Sequence, residues 1–297
     1  VLLGFYILLR AFDFRAWMAA LGAILWAFSS YYFIIIGAGH IWKLLTLSFI
    51  PPTIAGMVLC YRGRYMQGIV VTALFTAMQI LSNHVQMTYY FLFVMGLMVL
   101  AYLADAVRRH TLGRWAKATA CLAVAGLLGV AVNLSNLYHT WEYSKESMRG
   151  KSELTQKTKD PADQTGSGLE RSYITMWSYG LGETWTLLVP NTKGGASVPL
   201  AASQTAMKHA NSTYAPVYQA FTQYWGEQPG TSGPVYVGAF VLMLFVLGLF
   251  IVKGPMKWCL LAATVLSILL SWGKNFMGFT DFFLDYVPMY DKFRTVA

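Results

Sequence analysis

Apolar residues fill this chain in long runs broken by short polar turns, and a single long polar stretch interrupts the series. A membrane-spanning helix needs about 20 mostly apolar residues, within a range of about 17 to 25. By that measure the runs predict an incomplete span ending near Leu9, then spans over Ala16–Gly37, Leu44–Tyr61, Met66–Leu81, Thr88–Ala104, Ala118–Leu137, Val235–Val252 and Trp258–Gly273. No run alternates with period two over ten-residue segments, which argues against a β-barrel. The expected fold is an all-α polytopic membrane protein with about eight transmembrane helices, the first truncated.

Basic residues in the short turns give the expected orientation. Arg10 and Arg15; Arg62 and Arg64; Arg108, Arg109, Arg114 and Lys117; and Lys253 and Lys257 fall in alternate turns, against Lys43 alone in the short turns between them. The ten-to-one bias places the first set in the cytoplasm. It puts the turns around His40 and His84 outside, together with the long loop and the chain end. Residues 1–137 thus carry helices one to six, 138–234 the extracytoplasmic loop, 235–273 helices seven and eight, and 274–297 a further extracytoplasmic segment. Pro51-Pro52 predicts a kink or a break in the third helix, because proline removes a backbone donor and disfavours helical geometry before it.

Composition narrows the class further. Of 297 residues, 56% are hydrophobic and only 12% charged, against about a quarter charged in soluble domains. The net charge of +9 reflects the basic turns rather than a nucleic-acid surface. Eight of the thirteen acidic residues lie between Tyr138 and Pro234, and none falls inside a predicted span. Ion-coupled transporters commonly carry carboxylates within their spans, so chemistry is expected at the outer interface instead. Val1 lies inside an apolar run with no initiator Met or basic leader, so the sequence reads as an internal fragment.

The candidate site residues cluster on that outer side. Gly37-Ala-Gly-His-Ile-Trp-Lys43 offers an imidazole on His40 and a cation on Lys43, suited to a phosphate; the same pattern fits an interfacial turn with a snorkelling lysine. Asn83-His-Val-Gln-Met-Thr-Tyr-Tyr90 offers His84, Gln86 and Tyr89, neutral donors and acceptors suited to sugar hydroxyls. His40 and His84 could also meet a divalent metal with a carboxylate, although no ligand spacing marks a metal site. Glu142 and Arg149 pair a base with a phosphate clamp above the sixth span, or they belong to a solvated helix end with Glu142 bound to Lys145. Glu183 lies in a Gly-rich, aromatic turn as an acid/base candidate or as a helix cap. The loop closes on Trp225, Glu227 and Gln228 at the membrane surface.

These stretches together resemble the YfhO-like family of bacterial multispanning membrane proteins, grouped with glycosyltransferases of the GT-C fold, in a Bacteroidetes-type variant. The resemblance is carried by Gly39-His-Ile-Trp-Lys43, Asn83-His-Val-Gln-Met-Thr-Tyr-Tyr90, Glu142-Tyr-Ser-Lys-Glu-Ser-Met-Arg-Gly150, Gly182-Glu-Thr-Trp, Val189-Pro-Asn-Thr-Lys-Gly-Gly195, Tyr224-Trp-Gly-Glu-Gln-Pro and Tyr290-Asp-Lys-Phe-Arg294. It implies transfer of a sugar from a polyprenyl-phosphate carrier to a cell-envelope glycan, lipid or protein outside the cytoplasmic membrane. It also implies that the main catalytic acid lies in a loop upstream of Val1. On residue chemistry, His40, Lys43 and Arg149 would then stand near the carrier phosphate and Gln86, Tyr89 and Trp225 near the sugar, with His84 and Glu227 as further substrate-binding candidates and Glu142 or Glu183 as a second carboxylate. The alternatives are a transporter or flippase of a lipid-linked glycan and a non-catalytic membrane assembly protein.

Overall fold

The computed structural model describes residues 1–146, 163, 165 and 169–294. They fall into two compact units. The first holds Val1–Ser147 and Phe245–Leu266; the second holds the described residues of Met148–Leu244 and Ser267–Ala297.

The first unit is a helical bundle: α1 (Leu2–Ala11), α2 (Ala16–Ala27), α3 (Ser30–Gly37), α4 (Ile41–Tyr61), α5 (Tyr65–Leu81), α6 (Val85–Arg108), α7 (Leu112–Ala131) and α8 (Leu134–Lys145). Its sharp turns share one device. Asp13, Gly39, Gly63, Asn83 and His110 follow their helices with φ between 54° and 83°, the left-handed conformation that stops a helix by turning its last amides back on it. His40 donates its N–H to the Ile35 carbonyl at 2.9 Å, and Arg64 does the same to Leu59 at 2.9 Å. His40 and His84 therefore occupy the position just before a helix, where Arg64 and Thr111 stand in the equivalent turns.

By length and composition α4, α6 and α7 can each cross a membrane, and the bent pairs α2–α3 and α13 (Met256–Ser271) with α14 (Met277–Tyr286) bring the total to five. The chain is thus mostly helical, with three to five candidate spans among the described residues. Ala16–Gly37 is not one straight helix but two, bent by 41° at Phe28-Ser29. The run through Leu137 likewise divides at Asn133, whose side chain turns away to donate to the Ala77 carbonyl at 3.0 Å and that of Gly129 at 3.2 Å.

Of the kink or break expected at Pro51-Pro52, the break does not occur: α4 runs through both prolines, and both are buried. Packing overrides local preference here. α1 lies so close that a Cβ on Gly4 would stand 2.6 Å from the Ser48 carbonyl oxygen and 2.9 Å from the Pro52 ring. On another face α4 meets α5 backbone to backbone. A Cβ on Gly68 would stand 2.7 Å from the Gly56 oxygen and 2.8 Å from the Cys60 nitrogen, an approach that small residues permit between apolar helices. Gly68→Ala is expected to destabilise this bundle by about 1–3 kcal/mol, the usual cost of overpacking, seen as a lower melting temperature in detergent. The Arg62 guanidinium pairs with Asp13, which joins two of the turns expected in the cytoplasm at one end of the bundle.

The second unit is built from short elements: α9 (Arg171–Thr175), a 3₁₀ turn over Leu181–Leu187, β1 (Gly194–Pro199), α10 (Gln204–Met207), α11 (Ala215–Ala220), β2 (Thr222–Tyr224) and α14. The antiparallel pair β1–β2 is the departure from an all-helical chain, with Gly194 opposite Tyr224 and Pro199 opposite Thr222 around an irregular register. α12 (Ala239–Ile251) and α13 each have residues in both units. α12 begins and ends inside its predicted run, starting four residues late just after Gly238 with φ 104°, and α13 begins two residues before its own run and ends inside it.

Candidate functional site

Glu183 organises the second unit's polar centre. It stands three residues into the 3₁₀ turn and reaches back so that its Oε2 accepts the Gly180 N–H at 2.6 Å, one half of a capping box. The same oxygen accepts the Glu227 N–H at 3.2 Å, and Oε1 accepts the Tyr224 hydroxyl. Tyr224 in turn accepts the Gln228 N–H at 2.9 Å. Only 3% of Glu183 is exposed. Both of its oxygens are engaged and the side chain is almost fully buried, so of the two expected readings Glu183 makes the contacts of the cap, and it pins the Trp225–Gln228 segment.

The exposed carboxylate at this centre is that of Glu227. Gly180 makes room for both acids. A Cβ there would stand 2.7 Å from Glu183 Oε2 and 3.0 Å from the Glu227 carboxyl carbon. Trp225 projects beside them with 71% of its surface open. Its N–H donates to the Lys193 carbonyl at 2.9 Å, which continues the β1–β2 ladder and makes Lys193 its cross-strand neighbour. The Lys193 side chain lies along Gly182, with Nζ 3.3 Å from where a Cβ on that glycine would begin. One glycine turn therefore carries a carboxylate at one end, an ammonium at the other and an open indole alongside. Lys193 was not singled out from the sequence, although it lies within Val189-Pro-Asn-Thr-Lys-Gly-Gly195; the glycines after it were the available signal.

Two phenols here titrate late. Burial, then the Glu183 charge, pushes Tyr179 up to about 12 against a hydrogen bond to Thr186. Tyr224 is raised too, by burial first and then by its bond to Glu183, with the Gln228 N–H working the other way. A folded pKa above the unfolded value means that the native state keeps a proton the unfolded chain gives up. The stabilisation is complete below the unfolded tyrosine value of about 10 and is lost as pH rises through the folded values. Melting temperature is expected to fall with alkaline pH above about 10, less steeply in Tyr224→Phe.

The remaining candidates lie in the first unit. His40 is exposed at the start of α4. Lys43 is buried along its stem and places Nζ 5.2 Å above the Tyr31 ring, with no carboxylate in ion-pair reach among the described residues. At the start of α6, His84 is half-buried, Gln86 hydrogen-bonds Tyr90, and Tyr89 packs edge-on to Phe93 at 5.4 Å. Glu142 is exposed on α8 and pairs with Lys145 at 3.1 Å, while Lys145 sits 3.5 Å over the Trp141 ring. Glu142 thus makes the Lys145 pairing expected of a solvated helix end. Arg149 lies outside the described residues. Among those residues no three His, Cys, Asp or Glu side chains gather to hold a metal ion.

No protein-family model, curated protein or solved structure matches this chain.

Proposed function

We propose that this chain is part of a membrane glycosyltransferase, resembling the YfhO-like group and of GT-C-like architecture. It would move a sugar from a polyprenyl-phosphate carrier to a cell-envelope acceptor outside the cytoplasmic membrane. The reading takes all eight apolar runs as spans and the long loop as extracytoplasmic. The observation that carries it is the exposed Glu227 carboxylate, held by its own backbone against buried Glu183, with Trp225 open beside it and Lys193 along the same turn.

In this reading the face of Trp225 stacks on the sugar ring, as open indoles do with partly apolar partners. Glu227 takes the proton of the acceptor hydroxyl as the oxygen forms its bond to the anomeric carbon. The bond from that carbon to the carrier phosphate breaks, and its electron pair leaves with the phosphate oxygen. Lys193 offsets the charge that develops there. Glu183 touches no substrate; it positions Glu227.

The test is the full chain reconstituted in vesicles with a polyprenyl-phosphate-linked radiolabelled hexose and an envelope glycan acceptor. Labelled product together with free polyprenyl phosphate is the expected result. Movement of the carrier lipid across the bilayer without bond cleavage would overturn it in favour of a flippase. Lys193→Ala is expected to slow transfer by about 10- to 100-fold, as loss of one preorganised charge does, with a larger effect on kcat than on KM.

A further inference from the structure

The helix α14 follows the apolar helix α13 through an elbow of 109°. The elbow is fixed from within: Gly273 has φ 42°, and the buried Thr280 hydroxyl donates to the Gly273 carbonyl at 2.9 Å. It is also bolted to the carboxylate turn. Tyr179 N–H donates to the Ser271 carbonyl at 2.7 Å, the Lys274 N–H to Ser178 Oγ at 2.8 Å, Asn275 Nδ2 to the Tyr179 carbonyl at 3.0 Å, and Trp272 Nε1 to Thr184 Oγ1 at 2.8 Å.

The sides of α14 have different fates. Thr280, Phe283 and Leu284 are buried. Asp281 and Asp285, one turn apart, both pair with Arg171, Asp285 at 2.6 Å, so the acidic side is drawn toward the unit and its charge partly offset. Phe282 and Tyr286, also one turn apart, have ring centroids 5.3 Å from each other and are 54% and 75% exposed. Met289, just beyond the helix, is exposed as well.

A spanning helix runs within some tens of degrees of the membrane normal. With the 16-residue α13 taken by itself as the spanning helix, α14, bent 109° from it, runs almost along the membrane surface. Aromatic residues on one edge, with the charged pairs held on another, suit the headgroup boundary, where ring and polar tip meet different media. We propose that α14 is an interfacial helix whose Phe282–Tyr286 edge enters the headgroup–acyl boundary of the bilayer, and that it thereby holds the Glu183–Glu227 turn at the membrane surface. The continuity of α14 with the apolar helix α13 is what selects lipid as the occupant.

The test places the photoreactive residue p-benzoylphenylalanine at 282, at 286 and, as a control, at exposed Asn211, in the full chain in phosphatidylethanolamine–phosphatidylglycerol nanodiscs. After irradiation, mass spectrometry is expected to find acyl-chain adducts at 282 and 286 at least about tenfold above those at 211, as for side chains seated in the boundary. Adducts at background level, or crosslinks between two copies of the chain, would overturn the proposal. The two positions are read separately, each on protein that elutes as wild type, and failure at both on folded protein counts against it. The outcome is independent of whether the chain transfers sugar.

Discussion

Glu227→Gln is expected to lower sugar transfer by about 10²- to 10⁴-fold, the range that a positioned general base contributes. The substitution is nearly isosteric, and the carboxylate it removes is exposed. What ties Glu227 to the rest of the turn is its backbone N–H to Glu183, which the variant keeps. Melting temperature should therefore stay within the small range of surface substitutions, while kcat falls and KM changes little. Unchanged transfer with unchanged stability would place the base on another residue.

The second large effect is on stability. Glu183→Ala leaves three donors without their acceptor in a nearly dry site: the Tyr224 hydroxyl and the N–H groups of Gly180 and Glu227. Unsatisfied buried donors cost about 1–3 kcal/mol each, and removing one partner from a buried charged network about 3–5 kcal/mol in all, so a loss of about 3–5 kcal/mol is expected. Glu183→Gln keeps one acceptor oxygen and should lose roughly half as much. Denaturant unfolding followed by tryptophan emission reads both. The chemistry can be separated from the fold, because Glu183→Gln assayed well below its melting temperature should retain much more transfer than Glu227→Gln. Equal loss in both would give Glu183 a direct part in the reaction.

The bundle's helices were legible because their boundaries are written locally. Apolar runs end at Gly39, Gly63 and Asn83, residue types that tolerate the left-handed turn, and the helices stop there. The Ser29 and Asn133 breaks were not, since polar residues inside an apolar run look alike whether they bend the helix or merely face a neighbour. At Pro51-Pro52 the local signal left a kink and a break open, and the helix continues through both prolines where α1 packs closely against it. The strands escaped notice because three to six residues with a double glycine carry no alternation, and twenty-two residues separate them.

At the site, residue type was legible and residue role was not. Glu183 and Glu227 are both carboxylates beside glycine and aromatic residues, and the sequence favoured Glu183 because it stands alone between Glu170 and Glu227. Which of them faces solvent depends on the Tyr224 hydroxyl, forty-one residues away from Glu183. The pairing of Lys193 with the Gly182 turn is likewise made by the β1–β2 ladder, a contact no local pattern announces.

The turn at Gly63 also limits how the bundle can work. It joins α4 to α5 with three residues wound into a closed hydrogen-bonded loop, and Gly56 and Gly68 bring the two backbones into contact. Sliding one helix past its neighbour by a single turn requires about 5.4 Å of slack, which such a hairpin does not contain. Any conformational cycle in this half of the protein must therefore carry α4 and α5 together as one lever, with its hinges elsewhere in the chain.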